Sequence, residues 1–557
     1  MDPSWKPQTP RTLSFSASSL SASSLSFMEP AKNERPPAQD DIAGSVFLIS
    51  ASGELLKLPI PSTSPRDPLA WSKTTRMTAF ACLIFLFSVN GVTIRIPALV
   101  QPGLHHEFPD NSLNSAVTFF VAMGYIMAIP TSIAVGRRPV ILFSCLIQAL
   151  TVLWAGIAGN YFQLLAAVVF QSVTAGGILG VTLLIVMDAT FIHERPMAFT
   201  LVWSAGGFLP AIAFLPFPYI MDPRTQWRPM FYIWSPPVLI AGILALLFIP
   251  ETYFVRPAVA FDGRVLVQSS SEKVQIYDDW ESMPCGPRCP HRNHVHDEEP
   301  GKSTWINRLK IRRAPGTSVK GGLATYVQML LCLTNPLLVW VSLLSAAILS
   351  GVIFMDLTLP DYLGSTLPES EGEDISIYLG VAILIGCLLA IPSTGPFITW
   401  CTKYFTLRGG GTRHAEYFLP GFALPVITSA LSVGLFGLAT ANKMPPGMFY
   451  FAFGLSTFAY VSNNITVILW ITEAFPPWAA ASLGVQMFVG NMVAFSVGFN
   501  LLAWVKADEA LLCNIIIVSL VLFLGAFAVP IAFWGKTVRQ YITGKWSESE
   551  KGAIRPV

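Results

Sequence analysis

Long apolar runs, each close to twenty residues, alternate with short polar breaks along most of the chain. Twelve runs can be drawn: 77–99, 113–135, 139–158, 161–187, 198–220, 230–249, 335–356, 375–398, 419–440, 448–472, 479–504 and 511–534. About 20 residues of helix cross a ~30 Å hydrocarbon core. A helix also satisfies its own backbone within one segment, which hydrocarbon demands. Stretches such as Leu142–Leu153 and Ile515–Val529 are nearly continuous in apolar character. They lack the period-two alternation of a membrane β-barrel strand. The pattern therefore predicts twelve transmembrane helices.

The charges sharpen this. Of 35 basic and 33 acidic residues, only Arg95 and Asp356 fall inside the twelve runs, both near run ends. A charge at the bilayer centre costs at least ~2.5–3.5 kcal/mol, so the exclusion supports the boundaries. The whole chain is 53% hydrophobic and 12% charged, against about 25% charged in soluble globular proteins. A net charge of +2 gives no nucleic-acid footprint. Eight cysteines, mostly scattered singly, are not a disulfide framework.

An even number of spans puts both termini on one side, and basic residues identify that side as cytosolic. Lys73 and Arg76 precede the first span, Lys536, Arg539 and Lys545 follow the last, and the 251–334 loop holds eleven Lys and Arg. Arg137, Arg138, Arg195, Lys403, Arg408 and Arg413 add to it, whereas the opposite loop 357–374 is acidic. The expected fold is an all-α integral membrane protein, twelve transmembrane helices in two six-helix bundles with cytosolic termini. The expected divisions are a polar tail at 1–75, a bundle at 76–250, a cytosolic loop at 251–334, a second bundle at 335–535 and a cytosolic tail at 536–557.

The first tail carries a tandem hexapeptide, Ser16–Ser21 and Ser21–Ser26, read as disordered low-complexity sequence. The central loop gathers Cys285, Cys289, His291, His294 and His296. Their spacing is not a closed tetrahedral pattern, so no metal site is assigned. Trp305, Ile306, Leu309 and Ile311 alternate with Arg308, Lys310, Arg312 and Arg313, which suits a short basic helix on the inner leaflet. Enzyme signatures fail and no cofactor is expected. Gly535-Lys536-Thr537 lacks the first glycine of a phosphate loop, where Pro530 stands, and His193-Glu194 is followed by Met197 where a zinc protease needs histidine.

Several motifs then converge. Asp67-Pro68-Leu69-Ala70-Trp71-Ser72 precedes the first span, and Gly136-Arg137-Arg138-Pro139 opens the third. Asp188 with His193-Glu194-Arg195 follows the fourth. Trp227-Arg228 and Phe231-Tyr232 begin the sixth, and Pro250-Glu251-Thr252 closes it. In these residues the chain resembles the major facilitator superfamily, specifically its fungal drug:proton-antiporter-like branch, over about residues 65 to 540. Departures are equally specific. Ile133 and Ala134 stand where that family's loop signature keeps Asp and Arg, Val168 where its fourth span keeps Arg, and Leu209-Pro210 where its fifth pairs Gly with Pro. The resemblance links the lost Asp and Arg to gating and proton coupling, so the coupling ion stays open.

The resemblance places spans one, four, seven and ten around a midplane cavity. Polar residues at that depth are the substrate candidates: Asn90, Gln171, Thr174, Ser345, Tyr460, Asn463 and Asn464. The alternative is interhelical hydrogen bonding. Arg95 and Asp356 read as a substrate-charge contact or outer gate, or else as snorkelling interfacial charges. Arg137 and Arg138 are expected to pair with Asp188 or Glu473 as a cytosolic gate, against ordinary positive-inside charge. Trp203, Gly206, Gly207 and Pro210 read as helix packing. The function expected is secondary active export of a drug-like compound or secondary metabolite from the cell membrane by a monomer, a vacuolar location staying open. The partners are a small-molecule substrate, the lipid bilayer and, if coupling survives, protons, with no nucleic acid. The alternatives are uptake of a nutrient or polyamine, and a non-transporting membrane sensor.

Overall fold

The computed structural model describes residues 45–47, 59, 61–62, 64, 66–108, 113–215, 227–254, 259–261, 264–268, 274–277, 312–366, 372–409, 412–507 and 510–546. The tandem hexapeptide, the Cys/His group and residues 305–311 lie outside these.

The first half contains α1 (Lys73–Leu99), a short α2 (Gln101–Glu107), α3 (Leu113–Val135), α4 (Arg137–Gly156), α5 (Tyr161–Ala189), α6 (Arg195–Phe214) and α7 (Arg228–Phe248). A small antiparallel sheet follows in the central loop, β2 (Val259–Phe261), β3 (Arg264–Gln268) and β4 (Val274–Tyr277), and then α8 (Val319–Cys332). The second half contains α9 (Pro336–Thr366), α10 (Gly372–Arg408), α11 (Ala423–Ala441), α12 (Pro446–Ala474), α13 (Ala479–Ala507), α14 (Ala510–Ala526) and α15 (Ala528–Trp546). Strand β1 (Ser45–Phe47), in the tail ahead of the first half, pairs antiparallel with β5 (Thr412–His414) of the second.

Among the described residues eleven helices are long and apolar enough to cross a membrane, and the bent pair α14–α15, taken as one span, makes twelve. Helix lengths differ from the hydropathy reading, α9 running ten residues beyond the expected 356 to Thr366. Helix α10 runs ten residues beyond the expected 398 to Arg408. The twelfth run is not one straight helix but bends by 41° after Ala526. Pro530 has no N–H for the carbonyl four residues back, which is that of Ala526, so the break falls where the ladder loses its bond.

The helix pairings repeat between halves. Helices α3–α5, α4–α5, α4–α7, α1–α6 and α1–α5 pack together in the first half. Helices α10–α12, α11–α12, α11–α14, α9–α13 and α9–α12 do so in the second. The halves meet through α3 with α13 and α6 with α10, which are again equivalent pairs. Small residues permit the tightest approaches. A β-carbon on Gly124 would strike the Val173 carbonyl, and one on Gly176 the Val121 carbonyl. Gly386 on α10 meets the backbone of Gly454 on α12 in the matching place. Backbone contact through glycine suits lipid, where helix association rests on van der Waals packing rather than on hydrophobic exclusion.

Helix α8 lies in what composition read as loop. One face, Gly322, Thr325, Gln328, Met329 and Cys332, is buried. The other, Val319, Leu323, Tyr326, Val327 and Leu330, is apolar and exposed. The buried face spans the halves, Gly322 resting on Ala134 of α3 and Met329 on Gly484 of α13.

Candidate functional site

The cytosolic ends carry buried charge. The carboxylate of Glu251, just past α7, accepts the backbone N–H groups of Arg137 (2.9 Å), Arg138 (3.1 Å), Thr252 (3.1 Å) and Tyr253 (2.9 Å). The first two are the free donors at the start of α4, where an anion is favoured by the helix dipole. Burial nevertheless pushes the Glu251 carboxyl up, the N–H groups pulling against it. Gly136 has φ +118°, and a β-carbon there would stand 2.6 Å from a Glu251 oxygen, so the residue before the arginines must be glycine. Arg137 contacts Asp188 at the end of α5 (3.4 Å), donates to the Ser132 hydroxyl (3.0 Å) and lies over the Tyr253 ring.

The second half repeats the arrangement with other residues. Glu473, at the end of α12 as Asp188 is at the end of α5, pairs with Arg413 at 3.0 Å, both buried. Arg539 of α15 holds Glu416 through both carboxylate oxygens, at 2.6 and 2.9 Å. This corrects the gate expected from sequence. Of the four residues only Arg137 and Asp188 meet. Arg138 sends its guanidinium to the Leu246 carbonyl (2.8 Å), and Glu473 takes an arginine that sequence reading counted only as positive-inside charge. Each of these pairs stays within its own half, because the loops that carry the arginines fold back over their own bundle.

Toward the cytosol the centre is closed. Every residue from Thr174 to Met187 of α5 and from Val461 to Phe475 at the end of α12 is buried. The opposite ends of both helices are partly exposed. At that outer depth Arg95 and Asp356 expose side-chain surface.

The sequence candidates divide by the partners they find. Asn90 donates to the Ala175 carbonyl (3.1 Å) and accepts from Gln148 (2.7 Å). Gln171 donates to the Thr151 carbonyl (2.9 Å) and Thr174 to its own helix, so these three bond within the first half. Asn463 donates to Ser345 (3.1 Å), joining α12 to α9, and its side-chain oxygen has no partner. Asn464 donates to the Tyr460 carbonyl (2.8 Å). Tyr460 meets Trp203 of α6 edge-on at 6.2 Å, and Trp203 meets Phe87 of α1 at 5.3 Å. Trp203, read from sequence as packing, is thus an aromatic contact between the halves. Its signal was the facing of two large aromatics on spans whose apolar pattern gave no preferred side.

Two repeated halves, each crossing the membrane six times, are the architecture of a secondary transporter. A family profile described as Major Facilitator Superfamily matches residues 78–499, and the chain belongs to that family. It is 22% identical over 534 residues to an uncharacterized MFS-type transporter of Schizosaccharomyces pombe, covering 89% of this chain and 90% of the relative. It is 23% identical over 560 residues to Protein HOL1 of Saccharomyces cerevisiae, covering 89% and 92%. Among solved structures, the proton:xylose symporter XylE bound to 6-bromo-6-deoxy-D-glucose shares the fold at TM-score 0.57 and 11% identity, over 83% of this chain and 97% of that one.

Proposed function

We propose that this transporter exports a drug-like compound or secondary metabolite across the plasma membrane, as a monomer of the fungal drug:proton-antiporter-like branch. The observation that carries the reading is the aromatic and amide lining between the halves, Phe87, Trp203, Tyr460, Asn463 and Ser345. Arg95 and Asp356 are its charges. Such a surface suits an organic solute with a large apolar body, because apolar pockets with few fixed polar groups bind by area and orient by those groups. The motif resemblance at 67–72, 136–139, 188–195 and 250–252 supports the branch. In this reading the pairs Arg137–Asp188 and Arg413–Glu473 brace the cytosolic ends while the halves rock.

A second reading, uptake of a nutrient or a small cation such as a polyamine, draws on the exposed carboxylate of Asp356. One experiment separates them. The chain is expressed in a strain lacking its own exporters, and retention of a panel of toxic solutes is followed with and without a proton uncoupler. Reduced retention, abolished by the uncoupler, is the expected result. Accumulation would establish uptake instead, and no change across the panel would favour a sensor. A well-folded Asn463→Leu/Asn464→Leu variant that transports normally would remove the amide site.

A further inference from the structure

Helix α8 turns an apolar face away from the protein. Of its exposed residues only Lys320 is charged; the others are Val319, Leu323, Tyr326, Val327 and Leu330. Their spacing of three and four places them in one stripe, and a face turned to water would carry polar residues there.

The depth of the stripe follows from the seat of the helix. The Ala314 N–H, just ahead of α8, donates to the carbonyl of Val135 at the cytosolic end of α3 (2.9 Å). Further along, Gly322 rests on Pro130 and Ala134, and Met329 packs against Gly484 of α13 beside Ile129. Ile129 and Gly484 lie roughly 7–9 Å inside the ends of their helices, at about 1.5 Å per residue. Helix α8 thus slants inward from the cytosolic rim along the flank of α3 and α13, and its outer face points sideways. Amphipathic helices of the membrane interface bury their apolar face to a similar depth, about 5–10 Å.

Basic residues mark the shallow end. Arg312 and Arg313 precede Ala314 and Lys320 stands in the first turn, all three exposed. The Arg313 guanidinium folds over Thr317, donating to its hydroxyl (3.0 Å) and its carbonyl (2.8 Å), and is held at the rim. No acidic residue occurs between Arg312 and Asn335.

We infer that α8 forms an inner-leaflet lipid site, its stripe seated among acyl chains and Arg312, Arg313 and Lys320 taking the head groups of acidic phospholipids. The bilayer is the occupant because charge and apolar surface are ordered by depth as the leaflet orders them, heads outermost and chains within. The site lies on the helix that touches both halves, and it stands independently of which solute is carried.

The test uses the purified full chain. Arg312→Cys, Leu323→Cys and Leu330→Cys are made one at a time in a Cys285→Ser/Cys289→Ser background, the other six cysteines being buried. Each carries an environment-sensitive fluorophore in nanodiscs of phosphatidylcholine mixed with phosphatidylserine. The two stripe labels should be quenched by a nitroxide on the upper acyl chain and spared by aqueous iodide, the label at the rim showing the reverse. Stripe labels quenched by iodide put the face in water and overturn the inference. Stripe labels shielded from both quenchers put it against another protein or a second copy and overturn it too. Head-group choice is read by native mass spectrometry of the protein titrated with phosphatidylserine or phosphatidylcholine. Near an acidic surface each basic residue is worth about fivefold in binding. Arg312→Gln/Arg313→Gln/Lys320→Gln should therefore weaken phosphatidylserine binding at least about tenfold and leave phosphatidylcholine binding unchanged. Arg312→Gln/Lys320→Gln keeps the Arg313 turn and carries the test if the triple variant does not fold. Phosphatidylserine bound equally by wild type and both variants overturns the inference.

Discussion

Replacing Glu251 tests how the cytosolic end of the first half is built. One carboxylate receives four backbone N–H groups, three on Oε1 and one on Oε2. Losing a helix cap alone costs ~0.5–2 kcal/mol, and each buried donor left unsatisfied costs ~1–3 kcal/mol. Thr252 and Tyr253 lie in the segment after α7 and carry no helix, so the Arg137 and Arg138 donors, which cap α4, dominate. Glu251→Ala should therefore lose about 2–4 kcal/mol, roughly a cap plus one unsatisfied donor. Glu251→Gln keeps an oxygen for the three Oε1 bonds and should lose about 1 kcal/mol, the scale of one hydrogen bond. The pH dependence has a defined sign. Burial raises the folded-state carboxyl above its ordinary value, so its contribution is full below that ordinary value and is lost as pH rises through the folded one. Wild type should thus gain on the Gln variant as pH falls from 7 toward 5. The assay is thermal unfolding of the purified protein in detergent, followed by fluorescence-detected size exclusion. An Ala variant as stable as wild type, a Gln variant damaged as badly as Ala, or the opposite pH trend would refute the capping argument.

Three shorter predictions follow from neighbouring features. Arg413→Leu leaves Glu473 buried without its arginine and should cost ~3–5 kcal/mol, with Arg413→Leu/Glu473→Leu recovering most of it; unfolding midpoints of the single and double variants decide this. Gly176→Val puts a side chain into the Val121 carbonyl and should cost at least ~1–3 kcal/mol, read as lost monodisperse protein, whereas Gly447→Val, which meets nothing within 4 Å, should behave as wild type. On the outer face, hydrogen bonds from Arg228 and then Trp227 hold the Glu107 carboxyl below its ordinary value, burial opposing them. That contribution is present above the ordinary value and lost as pH falls through the folded one. Acidification below about pH 4 should change Trp227 fluorescence in wild type and not in Glu107→Gln.

The twelve crossings were legible because charge exclusion and run length are properties of single segments, and the membrane imposes both. Pairing was not. Asp188 and Glu473 could be matched by topological position, but their partners depend on where the loop arginines fold back, and Arg413 sits in a segment whose only sequence signal was its charge. Helix α8 escaped notice because its exposed stripe, Val319, Leu323, Tyr326, Val327 and Leu330, is too short for a span and was read as part of a polar loop. The spacing of that stripe was its available signal. Asn463 was readable as an amide that needs a partner; that the partner is Ser345 follows from helix rotation, which apolar runs on all faces do not specify.

The departures at Ile133 and Ala134 have a physical counterpart. A β-carbon on Gly322 of α8 would stand 2.7 Å from the Ala134 methyl and 2.9 Å from the Pro130 carbonyl. An arginine or aspartate at these positions would have to leave that contact for water, and α8 would lose its seat on α3. With Ala134, the same helix continues to Gly484 and Ser482 of α13, where Met329 and Cys332 pack. One helix of the central loop thus closes the seam between the halves by packing, at the place where the resembled signature puts charge. The charges that stay, Arg137 with Asp188 and Arg413 with Glu473, hold each half together and need not break for the halves to separate. Opening toward the cytosol must instead separate α8 from α3 or from α13. The barrier at that end is then set by apolar contact and little affected by ionic strength, because screening acts on exposed charge and not on packing.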